Sequence, residues 1–393
     1  MDIEIVKILT LSIKISLIVK VIADDKIPFL KGVLEPYADV VYLPGKEITR
    51  NILIDADAML IRTRTKCNEQ LLRGTNVRFI GTATIGFDHI DSQYCEKNNV
   101  RWTNAPGCNS SSVQQYIASA LLTVASSFRF CLREKTLGII GVGNVGSKVA
   151  IMAKILGMNV LLNDPPRARK EGDMGFVKIE RILREADIVT LHVPLTMSGE
   201  DRTYHLFDEV TIKKMKKDSW LFNSSRGEVV NNAALRFSLE SDALKGAVID
   251  VWENEPDIDT DLLSKVFAAT PHIAGYSTDG KANGTAMVVN SLRSFFSLPL
   301  ENWYPVNVPK PAFSEIVIDG SGKTEEDIIR EAVLHTYSIK TDDDKFRQSP
   351  SDFEKQRGDY PLRREFPSWS VKLLNSTEYV RSVIENMGFR IVG

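Results

Sequence analysis

The stretch that decides the fold begins TLGIIGVGNVGSKVA, at residues 136–150. Its apolar start at 136–140 predicts a buried parallel strand. Residues 141–146 then place glycine at their first, third and sixth positions and open an amphipathic helix. A second apolar strand follows at 159–163 and ends in Asp164. This order of strand, glycine turn, helix, strand and acid predicts a dinucleotide-binding βαβ unit.

The residues of the glycine turn have separate roles in holding a dinucleotide. Gly141 permits the tight turn, Gly143 lets the backbone approach a pyrophosphate, and Gly146 lets helix and strand pack closely. The helix that starts at Asn144 and Val145 offers N–H donors and a favourable dipole to the phosphates. A glycine turn of this kind also occurs as a purely structural feature of βαβ units. The presence of Asp164 at the end of the next strand is therefore needed to favour dinucleotide binding over a purely structural turn.

Asp164 ends the second strand, where an acid can bind the adenosine ribose of the dinucleotide. A carboxylate there accepts hydrogen bonds from the ribose hydroxyls and repels a 2′-phosphate, so NAD is favoured over NADP. Arg167 and Arg169 lie close by in the sequence and weaken that preference, because an arginine accommodates the 2′-phosphate. The predicted cofactor is NAD.

Apolar runs alternate with helical stretches along most of the chain. The runs that predict buried strands lie at 19–25, 58–61, 77–80, 136–140, 159–164, 188–192, 220–223 and 247–250. Such alternation predicts an α/β fold built on doubly wound parallel sheets. We expect a Rossmann-type nucleotide domain, a flavodoxin-like second domain and a smaller C-terminal α/β module.

Four segments are predicted along the chain. A helix from Val113 to about Phe128 is interpreted as the first crossing between domains, and one from about Lys281 to Phe296 closes the nucleotide region. Prolines at 299, 305, 309 and 311 then punctuate a linker. The predicted segments are an extension at 1–18, a substrate-binding domain at 19–110 completed by 276–297, a nucleotide-binding domain at 111–275, and the C-terminal module at 298–393.

Composition limits the classes of function. The 393 residues carry a net charge of −2, whereas a nucleic-acid or membrane-surface binder is normally basic. Lysines at positions 7, 14 and 20 interrupt the apolar N-terminal stretch, which argues against a signal peptide or a membrane helix. The four cysteines have no paired spacing. We therefore expect reduced thiols, a cytoplasmic protein and no metal site.

Three short stretches supply the chemistry: NSSRG at 223–227, DVWENEP at 250–256 and TPHIAG at 270–275. Each follows an apolar run, so each is expected at the carboxyl end of a strand, where ligands collect in open parallel sheets. Together they contain an arginine, carboxylates and a histidine. The arginine can hold a substrate carboxylate, the histidine can take a hydroxyl proton as hydride leaves, and a carboxylate can orient the imidazole. This set suits dehydrogenation of a 2-hydroxy acid.

These motifs together resemble the D-isomer-specific 2-hydroxyacid dehydrogenases over about residues 20–297. The resemblance rests on the glycine turn with Asp164, on LHVPL at 191–195, on the three chemical stretches and on the histidine string PHIAG at 271–275. It implies a catalytic set of Arg226, Glu255 and His272. The implied cofactor positions are Asp164, Val193, Ser224, Ser225, Arg226, Asp250 and Gly275. The implied substrate contacts are Thr63, Thr84 and Tyr276.

A narrower resemblance, to one member of this family, rests on GTATIGFDH at 81–89, APGCN at 105–109 and the C-terminal module, especially 360–365. It implies a phosphorylated four-carbon hydroxy acid as substrate and a homodimer formed through residues 298–393. The phosphate needs cations or helix-terminal amides. The candidates are Arg62, Arg64, Lys66, Ser110–Ser112 and, from a partner subunit, Arg347.

Two alternatives stay open on the sequence alone. One is a dehydrogenase for another D-2-hydroxy acid, because specificity depends on a few side chains that one sequence cannot place. The other is a non-catalytic NAD-sensing protein, since corepressors of this fold retain the arginine, glutamate and histidine. The C-terminal stretch alternates apolar and charged residues like a folded module, which disfavours the sensor.

Overall fold

The computed structural model describes residues 18–172 and 175–393, so nearly all of the predicted extension at 1–18 lies outside the described residues. The chain forms two compact units. The first comprises the described residues up to Cys108 together with Lys281–Asn307. The second comprises Asn109–Gly280 together with Val308–Gly393. Residues 298–307 thus lie with the first unit, and most of the C-terminal module is continuous with the nucleotide-binding region.

The first unit is built on a five-stranded parallel sheet of order β2-β1-β3-β4-β5. Its strands are β1 (Val19–Asp24), β2 (Ala38–Leu43), β3 (Ala58–Ile61), β4 (Phe79–Thr82) and β5 (Arg101–Thr103). Its helices are Arg50–Leu53, Glu69–Leu72, Ser92–Lys97 and, from Lys281 onward, Thr278–Phe296. The order is the flavodoxin-like one, and the switch of direction between β1 and β3 puts a ligand crevice at their carboxyl ends.

The central strands of this sheet are buried on both faces. Val21 and Leu60 pack against Leu292 of the long helix, while Ile22 and Met59 pack in a second apolar cluster on the opposite face. Every residue of β3 and β4 is buried. Strands covered on both faces read as continuous apolar runs, which is why the sequence predicted these two elements.

The second unit contains a six-stranded parallel sheet of order β11-β10-β9-β8-β6-β7. Its strands are β6 (Thr136–Ile140), β7 (Asn159–Asn163), β8 (Ile188–Leu191), β9 (Trp220–Asn223), β10 (Gly246–Ile249) and β11 (Ala268–Ala269). The order reverses between β6 and β8, so their carboxyl ends form the expected ligand crevice of a doubly wound sheet. The α/β class with two such sheets is confirmed.

Seven helices of the second unit belong to this nucleotide region. Short 3-10 turns add Leu132–Glu134 and Gly227–Val229. The helices are Ser110–Phe128, Asn144–Ile155, Pro165–Glu171, Ile179–Glu185, Glu209–Lys213, Asn232–Glu240 and Thr260–Lys265. The first of them is buried along almost its whole length, including the polar residues Ser112, Gln115 and Ser119. Its buried polar groups need partners within the protein.

The C-terminal residues supply those partners. They form a three-stranded parallel sheet of order β12 (Glu315–Asp319), β13 (Ser370–Leu374), β14 (Arg390–Ile391). The helices are Glu325–Thr336, Ile339–Gln348, Phe353–Gly358 and Glu378–Asn386, with 3-10 turns at Pro350–Asp352 and Phe366–Ser368. Gln115 donates to Thr336 at 3.0 Å, and Ser119 accepts from the Ile339 N–H at 3.0 Å. The C-terminal residues and the nucleotide region therefore share one core.

Within the described residues, three features bear on function. All four cysteines are unpaired thiols. No group of three or more histidine, cysteine, aspartate or glutamate side chains is arranged to hold a metal ion. None of the described helices combines the length and apolar character that a membrane crossing requires.

Candidate active site

The glycine turn after β6 is shaped by two contacts that only glycine permits. Gly141 has φ +84°, and a Cβ there would lie 2.6 Å from the carbonyl oxygen of His192. A Cβ on Gly146 would lie 2.0 Å from the carbonyl oxygen of Gly141. A Cβ on Gly143, in contrast, would meet no atom within 4 Å. Packing does not require a glycine at 143, so the space in front of Gly143 is left for a pyrophosphate.

The helix behind this turn presents unpaired N–H groups to the same space. It begins at Asn144, with Gly143 as the N-cap residue and no side-chain cap. The first N–H groups of a helix have no intrahelical partner, which makes them anion donors. Gly143 and Asn144 are exposed and Val145 is half-buried. The predicted phosphate-binding residues therefore fit the cofactor.

Val193 closes the other side of the glycine turn. It follows β8, the strand on the far side of the switch point, and its Cγ1 lies 2.8 Å from the Cβ position built on Gly141. His192 beside it hydrogen-bonds Thr190 at 3.0 Å, and burial lowers the pKa of His192 to about 3. His192 is therefore a neutral packing residue, and Val193 offers the turn an apolar wall.

Asp164 ties the second strand to the glycine turn. One carboxylate oxygen accepts from the Val142 N–H at 2.8 Å, and the other accepts from the Arg167 N–H at 3.0 Å. Arg167 pairs with Glu171 at 2.9 and 2.7 Å and donates to the Val142 carbonyl at 2.6 Å. Arg169 pairs with Glu200 and Asp201. Both arginines that weakened the predicted preference for NAD are thus neutralised by carboxylates.

Arg226 lies on a turn organised by Asn223 at the end of β9. The Asn223 amide donates to the Arg226 carbonyl at 2.9 Å, and its oxygen accepts from the N–H and hydroxyl of Ser225. A Cβ on Gly227 would lie 1.9 Å from the Trp252 carbonyl oxygen, so this turn packs directly on the stretch that carries Glu255. The predicted arginine and glutamate segments are therefore in contact.

Ser224, in the same turn, has a hydroxyl group that is unsatisfied within the described part of the chain. Its hydroxyl oxygen is buried and makes no hydrogen bond to any described residue. A buried polar atom without a partner is uncommon in a native protein and calls for an explanation such as a ligand. The predicted role of Ser224 in cofactor binding supplies one.

Glu255 and His272 form a direct pair. The Glu255 carboxylate lies 2.7 Å from Nδ1 of His272 and accepts from the Trp252 N–H at 2.9 Å. Burial alone would raise the Glu255 pKa, but the hydrogen bond and charge of His272, the Trp252 N–H and the charge of Arg357 outweigh it and lower that pKa. An ionised carboxylate on Nδ1 holds the proton there and leaves the Nε2 lone pair to act as a base.

The loop that carries His272 is built on Asp250. His272 has φ +57°, and its N–H donates to the Asp250 carbonyl at 2.7 Å. The Asp250 carboxylate is 1% exposed and accepts from the Thr270 hydroxyl and from the N–H groups of Ile273 and Ala274. Burial raises the Asp250 pKa above its ordinary range, although these donors and His272 oppose the rise. Asp250 thus fixes the backbone on both sides of the imidazole.

Arg363 fastens the same loop from the C-terminal part of the chain. Its guanidinium is 4% exposed and donates to the Ser112 carbonyl at 2.6 Å and to Gln115 at 2.9 Å. It also reaches the carbonyls of Ile273 and Ala274 at 3.4 Å. The Ser112 hydroxyl donates to the Ala274 carbonyl at 2.9 Å. Ser112 therefore serves the catalytic loop, which was not predicted.

The two residues after Arg363 extend this attachment. Arg364 donates twice to Asp279, at 2.9 and 2.8 Å, and Glu365 accepts from the Ser277 hydroxyl at 2.7 Å. We call Arg363, Arg364 and Glu365 the clamp. The clamp lies within 360–365, a stretch that carries part of the narrower resemblance, but nothing in the sequence predicted its hydrogen-bond partners. The clamp holds residues 273–279, which lie about ninety positions earlier.

Gly275 and Tyr276 lie within the clamped loop. A Cβ on Gly275 would meet the Asn109 side chain at 2.1 Å, so the loop passes close to the start of the helix Ser110–Phe128. The Tyr276 ring packs edge-on against Tyr360 at 5.8 Å between centroids. The second unit thus brings together Arg226, Glu255, His272 and Tyr276 with the predicted cofactor residues.

The first unit carries the remaining predicted substrate residues on two neighbouring turns. Thr63 is exposed in the turn after β3. Thr84 follows β4, and its hydroxyl bonds Thr82 at 2.8 Å and the Gly86 carbonyl at 3.0 Å. His89 bonds Thr82 at 3.0 Å, and burial lowers the His89 pKa. This cluster of neutral groups rigidifies the second turn.

The residues predicted to bind the phosphate differ in their exposure and in their hydrogen-bond partners. Arg62 is half-buried and donates weakly to the Lys26 carbonyl at 3.4 Å, while Arg64 and Lys66 are exposed. Arg347, predicted to reach a partner subunit, is engaged within its own chain. Its guanidinium binds Asp343 at 2.7 Å and the carbonyls of Leu263 and Val266 at 2.5 and 2.8 Å, because it closes the end of the helix Thr260–Lys265.

Known proteins resemble this chain in sequence and fold. Residues 122–274 match the family model of the D-isomer specific 2-hydroxyacid dehydrogenase NAD binding domain, and residues 308–383 match a domain of unknown function. The D-lactate dehydrogenase of Aquifex aeolicus, solved with NAD and lactic acid, is 26% identical with a TM-score of 0.60, over 71% of this chain and 95% of that one. The cofactor-bound 3-phosphoglycerate dehydrogenase of Entamoeba histolytica is 25% identical with a TM-score of 0.60, over 74% and 99%.

Curated relatives match over more of the chain. The erythronate-4-phosphate dehydrogenase of Bacteroides thetaiotaomicron is 48% identical over 90% of this chain and 99% of its own length. That of Proteus mirabilis is 39% identical over 94% and 98%. The chain is therefore a D-isomer-specific 2-hydroxyacid dehydrogenase, an NAD-dependent oxidoreductase. Within that class it belongs to the erythronate-4-phosphate dehydrogenase family. The predictions of family and of NAD as cofactor are confirmed.

Proposed function

We propose that this protein oxidises 4-phospho-D-erythronate to 2-oxo-3-hydroxy-4-phosphobutanoate with NAD, a step in one route to pyridoxal phosphate, in the cytoplasm. The observation that carries the proposal is the 2.7 Å contact between Glu255 and Nδ1 of His272, with the turn after Arg226 packed on the Trp252 carbonyl of the Glu255 stretch. A base of this kind is what removal of a hydroxyl proton needs. Similarity to relatives that act on erythronate 4-phosphate supports the choice of acid.

Three side chains divide the chemistry. Arg226 binds the substrate carboxylate through its planar fork of N–H donors and polarises the developing carbonyl. His272 takes the C2 hydroxyl proton at Nε2. Glu255 stays ionised, keeps Nδ1 protonated and stabilises the imidazolium that forms. When bound, NAD accepts the hydride that leaves C2. Oxidation thus yields the 2-oxo acid, NADH and one proton.

The cofactor is held by the residues around the switch point. Gly141, Gly143, Asn144, Val145 and Gly146 cradle the pyrophosphate, with Val193 as the apolar wall. Asp164 accepts from the adenosine ribose. Arg167 and Arg169 are already paired with carboxylates, which supports NAD over NADP. Further cofactor contacts come from Ser224, Ser225, Arg226, Asp250 and Gly275.

Each part of the chain has a proposed role. Residues 19–110 with 276–297 bind substrate through Thr63 and Thr84, and Tyr276 contributes from the clamped loop. Residues 111–275 bind NAD. Residues 298–393 form the homodimer. On the exposed face of this small sheet Val317 and Leu374 stand among Glu315, Asp319 and Lys372, which leaves two apolar side chains within a charged surface for a second copy to cover.

A substrate comparison tests the activity. The purified protein is incubated with NAD and 4-phospho-D-erythronate, D-erythronate or 3-phosphoglycerate, with and without a 2-oxo acid that reoxidises a tightly held cofactor. We expect turnover to be highest with the phosphorylated four-carbon acid. Preference for 3-phosphoglycerate would indicate a different dehydrogenase. Tight NADH binding without turnover of any acid would indicate a sensor.

A further inference from the structure

Arg357 is a half-buried cation that the mechanism above does not use. It lies on the helix Phe353–Gly358, and its side chain is 22% exposed. Its guanidinium carbon is 5.6 Å from the centre of the Phe353 ring and 5.9 Å from that of Tyr276. The C-terminal helix thereby places a positive charge against the proposed substrate residue Tyr276.

The hydrogen bonds of Arg357 are incomplete. Nη1 donates to Glu354 at 2.6 Å, but Nε is buried and has no partner among the described residues. A guanidinium carries five N–H donors in a fixed fork, and Glu354 together with the Tyr276 hydroxyl satisfies only part of it. A buried donor left without an acceptor is destabilising unless a ligand supplies one. The Nε–H of Arg357 is therefore available to donate a hydrogen bond to a ligand.

The positive charge of Arg357 interacts electrostatically with Glu255. It contributes to lowering the pKa of Glu255, the partner of His272, after the larger effects of burial, His272 and the Trp252 N–H. Glu255, Tyr276 and Arg357 all belong to the second unit, so their proximity is a property of that unit alone. The charge of Arg357 thus acts on the carboxylate that orients His272, whose Nε2 meets the C2 hydroxyl of the substrate.

The substrate chemistry requires a second anion site. A 4-phosphorylated 2-hydroxy acid carries a carboxylate beside C2 and a phosphate at the other end of four carbons. Arg226 accounts for the carboxylate, so the phosphate needs a second cation, for which the exposed Arg64 and Lys66 of the first unit are the alternatives. We propose that Arg357, presented by the C-terminal helix and backed by Tyr276, binds the terminal phosphate and gives this enzyme its specificity for a phosphorylated acid. This inference rests on the proposed function.

The test compares Arg357→Ala with wild type on 4-phospho-D-erythronate and on D-erythronate. We expect kcat/KM for the phosphorylated acid to fall by about 10- to 100-fold, the range for one charged hydrogen bond, mainly through KM. For D-erythronate we expect less than a threefold change. Arg357→Lys retains the charge but not the fork, so it should restore part of the loss. Arg381→Ala, on the helix Glu378–Asn386 of the same module, removes a more exposed arginine whose ion pair with Glu378 is 4.0 Å long; it is the matched control and should change neither value.

A binding measurement gives a second readout without turnover. Inorganic phosphate titrated into the wild-type NADH complex should compete with 4-phospho-D-erythronate, and the competition should weaken in Arg357→Ala and partly return in Arg357→Lys. Equal losses on both acids, or unchanged phosphate competition, would overturn the inference. If Arg357→Ala does not fold, the Arg357→Lys ratio decides. Wild type inactive on the phosphorylated acid would instead reject the proposed function itself.

Discussion

Two loops at the carboxyl edge of the same sheet are held in opposite ways. The glycine turn after β6 is fixed by contacts among residues 141–193, in which backbone approaches backbone. The loop after β11 carries His272 and is fixed by Asp250 and by the clamp, whose residues lie about ninety positions further on. The cofactor loop is thus locally encoded, whereas the catalytic loop depends on the far end of the chain.

This difference separates binding from chemistry. A cofactor needs an open cradle of N–H groups, which a short motif can supply by itself. A general base needs an imidazole held in one orientation, and general-base catalysis contributes about 10²- to 10⁴-fold in rate only when that geometry is kept. The clamp adds buried, charged hydrogen bonds to the loop that must hold the His272 imidazole in one orientation. Damage to the clamp should therefore lower turnover before it weakens NAD binding.

The largest expected effect is on the base itself. His272→Asn removes the proton acceptor, so kcat should fall by about 10²- to 10⁴-fold. The dissociation constant of NADH should change by less than threefold, because the glycine turn is independent of this loop. Steady-state kinetics and fluorescence titration measure the two quantities. His205→Asn is the control, since His205 also pairs with a glutamate, Glu253 at 2.6 Å, but outside the catalytic set. Near-normal turnover in His272→Asn would remove the base assignment.

The clamp should matter most for stability. Arg363→Ala strips the charged donor from Ser112, Gln115 and the loop carbonyls, so we expect a loss of about 3 kcal/mol in the free energy of unfolding. Turnover should fall by at least tenfold in the protein that remains folded. Urea unfolding and kinetics at low temperature measure these effects. Arg381→Ala should stay within about 0.5 kcal/mol of wild type. An unchanged unfolding midpoint in Arg363→Ala would show that the clamp is not needed.

Two glycines of the turn should respond in opposite ways to the same methyl group. Gly146→Ala drives a Cβ to 2.0 Å from a backbone oxygen, so stability should fall by about 1 to 3 kcal/mol. Gly143→Ala meets no protein atom and should leave the melting temperature unchanged, while NADH binding weakens by about tenfold, or about 1.4 kcal/mol. Equal effects of the two substitutions on NADH affinity would contradict the cradle.

The smallest effect concerns pH. Glu255 has a lowered pKa in the folded protein, so its contribution to stability is fully present above the unfolded value of about 4.3 and is lost as pH falls through the lowered folded value. The difference in unfolding free energy between wild type and Glu255→Gln should be constant from about pH 7 to 5 and should shrink below about pH 4.3. Urea titrations across this range measure it. If this difference in unfolding free energy grew as the pH fell, the pKa of Glu255 would be raised in the folded protein and not lowered.

Sequence reasoning succeeded where the determinants are local or share one sheet edge. The glycine turn is a contiguous motif, and Arg226, Glu255 and His272 each follow a parallel strand, so their stretches had to meet. The central strands were visible as apolar runs. The edge strands β2 and β5 were not predicted, because β2 is only partly buried and β5 has three residues and none buried.

Long-range side-chain partners escaped prediction for a different reason. Arg363 and Gln115 are 248 residues apart, and nothing in either neighbourhood specifies the other. Arg357 and Arg347 look alike in the sequence. The buried Nε of Arg357 has no hydrogen-bond partner among the described residues, whereas the guanidinium of Arg347 donates to two carbonyls at a helix end. Which arginine is available depends on packing that periodicity does not describe.

The separation between Ile273 and Arg363 is 90 residues, which sets an order in time as well as in space. At about 5 to 20 residues per second, a ribosome makes the catalytic loop roughly 5 to 18 seconds before the clamp. During that interval the nascent chain already contains every proposed catalytic residue and the whole cofactor cradle. It lacks the side chains that hold the histidine loop in place. A message that breaks off before Arg363 therefore yields a chain that contains the whole cofactor cradle but lacks the clamp, β13, β14 and their share of the common core.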